Sequence, residues 1–384
     1  MGNNLKKNAK NQKKENKSKQ KDKKEQKTEE ELINDNPEAL VLTDDISTNM
    51  IDLKRLNYQK HSNKKDPIEE VIVHPKFENS IIIACRSGQI KLYTNILKMY
   101  SNNDNEVILH DFKQRIHSMI LLKKNNNNIA VGLNNFIVIL SINNNNLLEK
   151  EIELKNSQLK EIRLLELDNG NIISAGESFI YWVKENKEYK DDNNIIKIDI
   201  TKDGGGNIIS KIINMVDFPE FNTILATQEN THLIYFMKYN KTKIELIKKI
   251  ENCPSIWYKG SAQKLSDYYM LLVGKFELNV IDASNGEVTN KYLGIDRGTL
   301  LNMKQSNNKE NIWIVSDYCG KYFEFYIQEG NDLIIIDKIY LEEKSDIRFN
   351  HKLIRINDEC FVAVNHYGEI YTFKLGLNEQ YNLI

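Results

Sequence analysis

VIVHPKFENSIIIACRSGQIKLY, residues 71–93, holds two apolar runs parted by a polar turn, then a tight Ser87-Gly88 turn and a third run that ends on an aromatic. Short β-branched runs bounded by turn residues read as strands, so the stretch reads as three antiparallel strands in sequence. Whether this is one isolated hairpin or a building unit depends on recurrence, because a repeat decides the whole fold. The phrase returns as HSMILLKKNNNNIAVGLNNFIVIL (117–140), IRLLELDNGNIISAGESFIYWV (162–183) and INMVDFPEFNTILATQENTHLIYF (213–236). It returns again as SDYYMLLVGKFELNVID (266–282), LNMKQSNNKENIWIVSDYCGKYFEFY (301–326) and KLIRINDECFVAVNHYGEIYTFKL (352–375), giving seven copies.

Tyr93, Ile139, Tyr181, Tyr235, Val280, Phe325 and Phe373 occupy equivalent third-strand positions, at steps of 46, 42, 54, 45, 45 and 48 residues. A four-stranded propeller blade recurs at about that interval. Extended runs between the copies supply an outer fourth strand: 106–112, 149–154, 194–200, 243–250, 287–293 and 333–341. Six such runs serve seven copies, and the last copy ends near Leu375. An unassigned run, NMIDLKRLNY (49–58), precedes the first copy and is predicted to complete the seventh blade. Pairing the two ends of the chain in this way leaves no open edge at the seam. The expected fold is all-β: a seven-bladed β-propeller over residues 46–376, closed by an N-terminal strand, with a short extension at 377–384.

Charge divides the chain differently. Residues 1–28 hold eleven lysines against Glu15, Asp22 and Glu25, a local charge of about +8, so with the whole chain at −1 the remainder carries about −9. After Leu5 this segment has almost no large apolar residue, so residues 1–36 are expected to form a disordered basic tail. Such a tail can neutralise phosphates or act as a nuclear address. Gly2 sits where an acyl chain could be attached, but Lys6 stands where that motif wants Ser or Thr. No segment reaches the roughly 18 apolar residues of a membrane span. Cys85, Cys253, Cys319 and Cys360 form no C-x-x-C pair, which fits buried thiols of an intracellular protein better than a zinc or disulfide framework.

HPKFENSIIIACRSGQIKLY resembles a WD-repeat blade in its turn after "HP", the small residues closing its second strand, and its Ser-Gly-x-Ile turn. LDNGNIISAGESFIYW is similar, with Trp182 near the family's tryptophan position. No copy has a Trp-Asp dipeptide or the Gly-His pair that opens a family blade, so the resemblance is to a divergent member, and another propeller family remains open. The resemblance implies that the family's Asp-His-Ser/Thr-Trp network is largely replaced here by apolar packing.

In such a ring the loops from outer to next inner strand share one rim with the turns between second and third strands. Asparagine-rich stretches at 101–105, 125–128, 143–146, 190–194 and 306–311 map to the opposite, lower rim. With seven arginines against forty-six lysines, an arginine is a selective choice. Arg86, Arg115, Arg297 and Arg348 map to the upper rim and are candidate partner-binding residues, suited to bidentate recognition of carboxylate or phosphate. Arg163 and Arg355 fall in strand runs and read as structural.

Chemistry-bearing motifs are absent. DGGGN (203–207) lacks the Gly-Lys-Ser/Thr of a P-loop, Ser174 sits in ISAGE rather than G-x-S-x-G, and the seven histidines show no metal-ligand spacing. No catalytic residue, metal or cofactor is therefore assigned. The expectation is a non-catalytic interaction scaffold of a multi-protein complex, with RNA or acidic surfaces as further partners of the tail. The WD-repeat resemblance, together with the lysine-rich tail, implies a nuclear or nucleolar role such as ribosome biogenesis. Two alternatives stand beside it: an RNA-associated, non-catalytic subunit of a nucleic-acid modification enzyme, and a propeller with a central-channel ligand site.

Overall fold

A computed structural model describes residues 40–41, 51–60, 66–98, 106–125, 127–143, 148–156, 162–176, 178–185, 188–198, 211–251, 253–256, 259–274, 277–293, 297–304, 311–317, 322–340, 352–365 and 368–377. Seven antiparallel sheets of four strands follow one another along the chain. Blade one comprises Ile68–Val73, Ile81–Cys85, Gln89–Tyr93 and Glu106–Asp111, in that order from the inner strand outward. Blades two to six repeat the pattern from inner strands Ile116–Leu121, Arg163–Glu166, Ile212–Phe218, Ala262–Lys264 and Arg297–Lys304. The seven blades form a β-propeller.

Blade seven takes three strands, Lys352–Arg355, Cys360–Val364 and Glu369–Leu377, from the C-terminal end. Its fourth is Ile51–Lys60, antiparallel to Glu369–Leu377 and in register from Ile51 opposite Leu377 to Lys60 opposite Glu369. The run predicted at 49–58 therefore closes the ring. Ile51 also donates its backbone N–H to the buried Asp337 carboxylate of blade six at 3.1 Å, which ties the closing strand across the next interface.

Seven apolar clusters fill the seven interblade interfaces. The equivalent positions at Tyr93, Ile139, Tyr181, Tyr235, Val280, Phe325 and Phe373 are all buried in them. Between blades six and seven, the rings of Phe361 and Phe373 stack at 5.1 Å, and Phe323 meets both edge-on. The outermost pair of every blade carries a register break, for example between Ile90 and Lys91 and between Arg55 and Asn57. An extra residue there raises the local twist, which lets flat pairing become a blade.

Two features depart from the sequence reading. The third-blade outer strand spans Glu188–Lys197, so Asp191–Asn194 lie in a strand rather than in a lower-rim turn. Leu40–Val41 adds a fifth, parallel strand to the outer edge of blade five, beside Tyr292 and Leu293. The glycine-rich stretch at 203–207, Cys319, Arg348 and the lysine-rich N-terminal segment lie outside the described residues.

Polar ties reinforce the blades. Trp182 donates to Ser174 Oγ at 2.8 Å. Elsewhere buried tyrosines are tied to acids, as Tyr239 to Asp217 at 2.8 Å and Tyr371 to Glu369 at 2.9 Å. Asp66 holds the upper turn of blade one, accepting from the Ser87 amide at 2.7 Å and hydroxyl at 2.6 Å.

Candidate functional site

Inner strands begin at the upper rim, and in blades one, two and four their first turn of pairing carries a bulge, at Ile68/Glu70, Ile116/Ser118 and Ile212/Asn214. A bulge lets consecutive side chains share a face instead of alternating. Glu69 and Glu70 show the effect: both carboxylates reach Lys259 Nζ, at 3.2 and 3.4 Å. Lys259 belongs to the loop before the blade-five inner strand, so its side chain spans the middle of the ring, where its amine also donates to the Glu69 backbone carbonyl at 2.6 Å.

The cross-strand register defines a layer around the ring axis. Glu70, Ser118, Arg163, Asn214 and Lys352 lie opposite Ala84, Gly132, Ala175, Thr227 and Val364, at the end of each second strand. These five inner-strand residues, with Lys259 and Gly260, line a cavity of about 140 Å³. Lys352 pairs with Glu70 at 2.8 Å, while Asn214 accepts from the Gly260 amide at 2.7 Å and donates to Ser261 at 2.9 Å. Arg163 spends one Nη on the carbonyls of His117 and Ile162, and its buried Nε has no acceptor.

Charge at this centre is unbalanced. Among the described residues lining the cavity, Arg163, Lys259 and Lys352 face the single carboxylate of Glu70. Burial alone would raise the Glu70 carboxyl, but Lys352, Lys259 and Arg163 outweigh it and hold it down to about 2. Lys259 is shifted the other way: burial, reinforced by Arg163 and only partly offset by Glu70 and Glu69, lowers its amine to about 8.

The four arginines of the sequence reading fare differently. Arg86 and Arg115 come together on Glu69 Oε1, at 2.7 and 3.1 Å, clamped by a carboxylate that is 4% exposed while they keep 39% and 35% of their side chains in solvent. Arg297 opens the inner strand of blade six opposite Asp317, with its side chain outside the described residues. Arg348 falls on no described residue. Arg163, read as structural, does stand in a strand but faces the cavity, and Lys259 and Lys352 were not singled out. Counting back across the hairpin from the small residue that ends each second strand would have found Arg163.

The described histidines and cysteines have structural surroundings. His74 accepts from the amides of Lys76 and Phe77, His117 pairs with Asn134 at 2.7 Å, and His232 with the Cys253 carbonyl at 2.6 Å. Burial pushes the Cys85 and Cys253 thiols up to about 12, opposite to what a nucleophile needs. Among the described residues no group of His, Cys, Asp or Glu could hold a metal ion, and no helix is long and apolar enough to cross a membrane. The chain matches no protein-family model and no curated protein. Its class, a seven-bladed β-propeller, rests on the seven sheets and their closure.

Proposed function

We propose that this protein is a non-catalytic interaction platform within a multi-protein complex, with the upper rim as its partner-binding face. Propellers commonly serve as such scaffolds, because a rigid ring presents many side chains without an ordering cost. The observation that carries the reading is the Arg86–Glu69–Arg115 clamp, in which two part-exposed guanidiniums are fixed side by side. Preorganised arginines are effective anchors, since little rotamer freedom is lost when a partner's carboxylate pairs with them. Arg297 and Arg348 are proposed to extend the same rim.

The lysine-rich segment would add electrostatic reach toward nucleic acid or acidic protein surfaces, in keeping with a nuclear or nucleolar assembly role. The test is affinity purification of the full chain from its own cells, wild type beside Arg86→Gln/Arg115→Gln. Loss of a defined set of co-purifying proteins from a variant with an unchanged melting curve supports the rim. An unchanged set removes it.

A further inference from the structure

A cationic cavity on the ring axis goes beyond what an interaction rim requires. Arg163, Lys259 and Lys352 converge on it from blades three, five and seven. Glu70 offsets one charge, taken up by Lys352 at 2.8 Å and Lys259 at 3.4 Å, and Glu69, which also holds Arg86 and Arg115, reaches Lys259 at 3.2 Å. Arg163 has no carboxylate partner among the described residues, and its Nε is buried without an acceptor. A buried guanidinium left so costs stability unless something accepts from it. A neutral donor stands beside the cations: the Ser118 hydroxyl lines the same space, while the Asn214 amide is already spent on Thr227 and Ser261. Three cations with a hydroxyl donor form a set that recognises a phosphate-type group.

Size limits the ligand. At about 140 Å³ the cavity is close to the roughly 150 Å³ of an engineered cavity that holds one benzene ring. That admits one tetrahedral oxyanion with its nearest waters and excludes a nucleotide or a stretch of peptide backbone. Lys352 keeps 27% of its side chain in solvent, which leaves a route of approach.

We infer that the upper end of the central channel is a binding site for a small, doubly charged oxyanion of the phosphate class, held by Arg163, Lys259 and Lys352. The group could arrive as free phosphate or a phosphate monoester, or as the phosphorylated side chain of a bound partner, and the chemistry of capture is the same. The site stands apart from the platform reading, because a rim that binds partners over an empty channel would leave that reading intact.

Calorimetric titration of the full chain with inorganic phosphate at low ionic strength tests the site, since salt screens such contacts. Saturable one-to-one binding is expected, weakened about tenfold or more in Arg163→Gln and in Lys352→Gln, the loss expected for a charged hydrogen bond. Arg163→Lys, which keeps the charge without the planar fork, should fall between. Lys352→Gln lies at the solvent edge and serves if Arg163→Gln does not fold, as judged by circular dichroism. Displacement of phosphate by phosphoserine alone points to a free ligand, and displacement only by a phosphoserine peptide points to a partner's side chain. No saturable binding up to about 10 mM phosphate, near the weak limit of specific association, overturns the inference. So does binding undiminished in both variants, as capture by the lysine-rich segment would give.

Discussion

Replacing Glu70 by glutamine removes the one carboxylate lining the cavity among the described residues while keeping its shape. Lys352 then loses its paired carboxylate, and Lys259 keeps only Glu69 at 3.2 Å. A carboxyl held near 2 rather than its ordinary 4.5 represents about 3 kcal/mol of net preference for the charged form in the folded ring. Breaking a buried ion pair by removing one partner costs a similar 3–5 kcal/mol or so. For a ring of this size that is a melting-temperature drop on the order of 5 °C. The loss has a pH signature. Because the folded carboxyl titrates below the unfolded one, its stabilisation is complete above about pH 4.5 and disappears as pH falls toward 2. Melting curves of wild type and Glu70→Gln should therefore stand well apart at neutral pH, and the gap should shrink to less than half by about pH 3. Equal stability at neutral pH, or a gap that does not change with acid, would refute the assignment of Glu70 as the counter-charge of the channel cations.

Further outcomes follow from other sites. Phe373→Ala removes a ring stacked on Phe361 and met edge-on by Phe323, and should cost about 3–5 kcal/mol in thermal or denaturant unfolding. Gly88→Ala should be far worse than Gly330→Ala, although both glycines have positive φ. A Cβ at Gly88 would sit 2.4 Å from the Gln114 carbonyl, whereas at Gly330 it meets nothing within 4 Å, leaving only about 1–2 kcal/mol of left-handed strain. Cys85 and Cys253 should resist thiol reagents in the native ring at about pH 8 and react on unfolding, as mass spectrometry would show. Their raised thiols also predict stability lost as pH climbs above 9, where the unfolded chain ionises first.

The ring was legible in the sequence because each blade needs the same three things at the same spacing: an apolar second strand, small residues at its end, and a buried third-strand residue. Ile81–Cys85 with Tyr93 and Cys360–Val364 with Phe373 carry that pattern as strings of letters. Even the closing strand could be placed, by counting outer strands and finding one short. The channel site was not legible, for two physical reasons. Strand alternation sends Glu69 and Glu70 to opposite faces, and only the bulge after Ile68 brings both to one amine. Lys259 precedes a strand of three residues, Ala262–Lys264, too short to show a period, and it meets Glu69 only because the ring has closed. Arg86 and Arg115 were read onto one rim, but nothing local announces that they share a carboxylate.

Closure itself is tested most directly by a covalent bridge across the seam. Lys54 and Lys374 are paired Cα partners in the closing strand and its neighbour, and both point to solvent. Paired residues on adjacent antiparallel strands lie about 4.5–5.5 Å apart, within reach of a disulfide. The double variant Lys54→Cys/Lys374→Cys should oxidise to an intramolecular bridge, mapped by peptide mass spectrometry, and should raise the melting temperature by fastening the ring. A variant that stays reduced, or links only between molecules, would show that residues 51–60 do not complete the seventh blade.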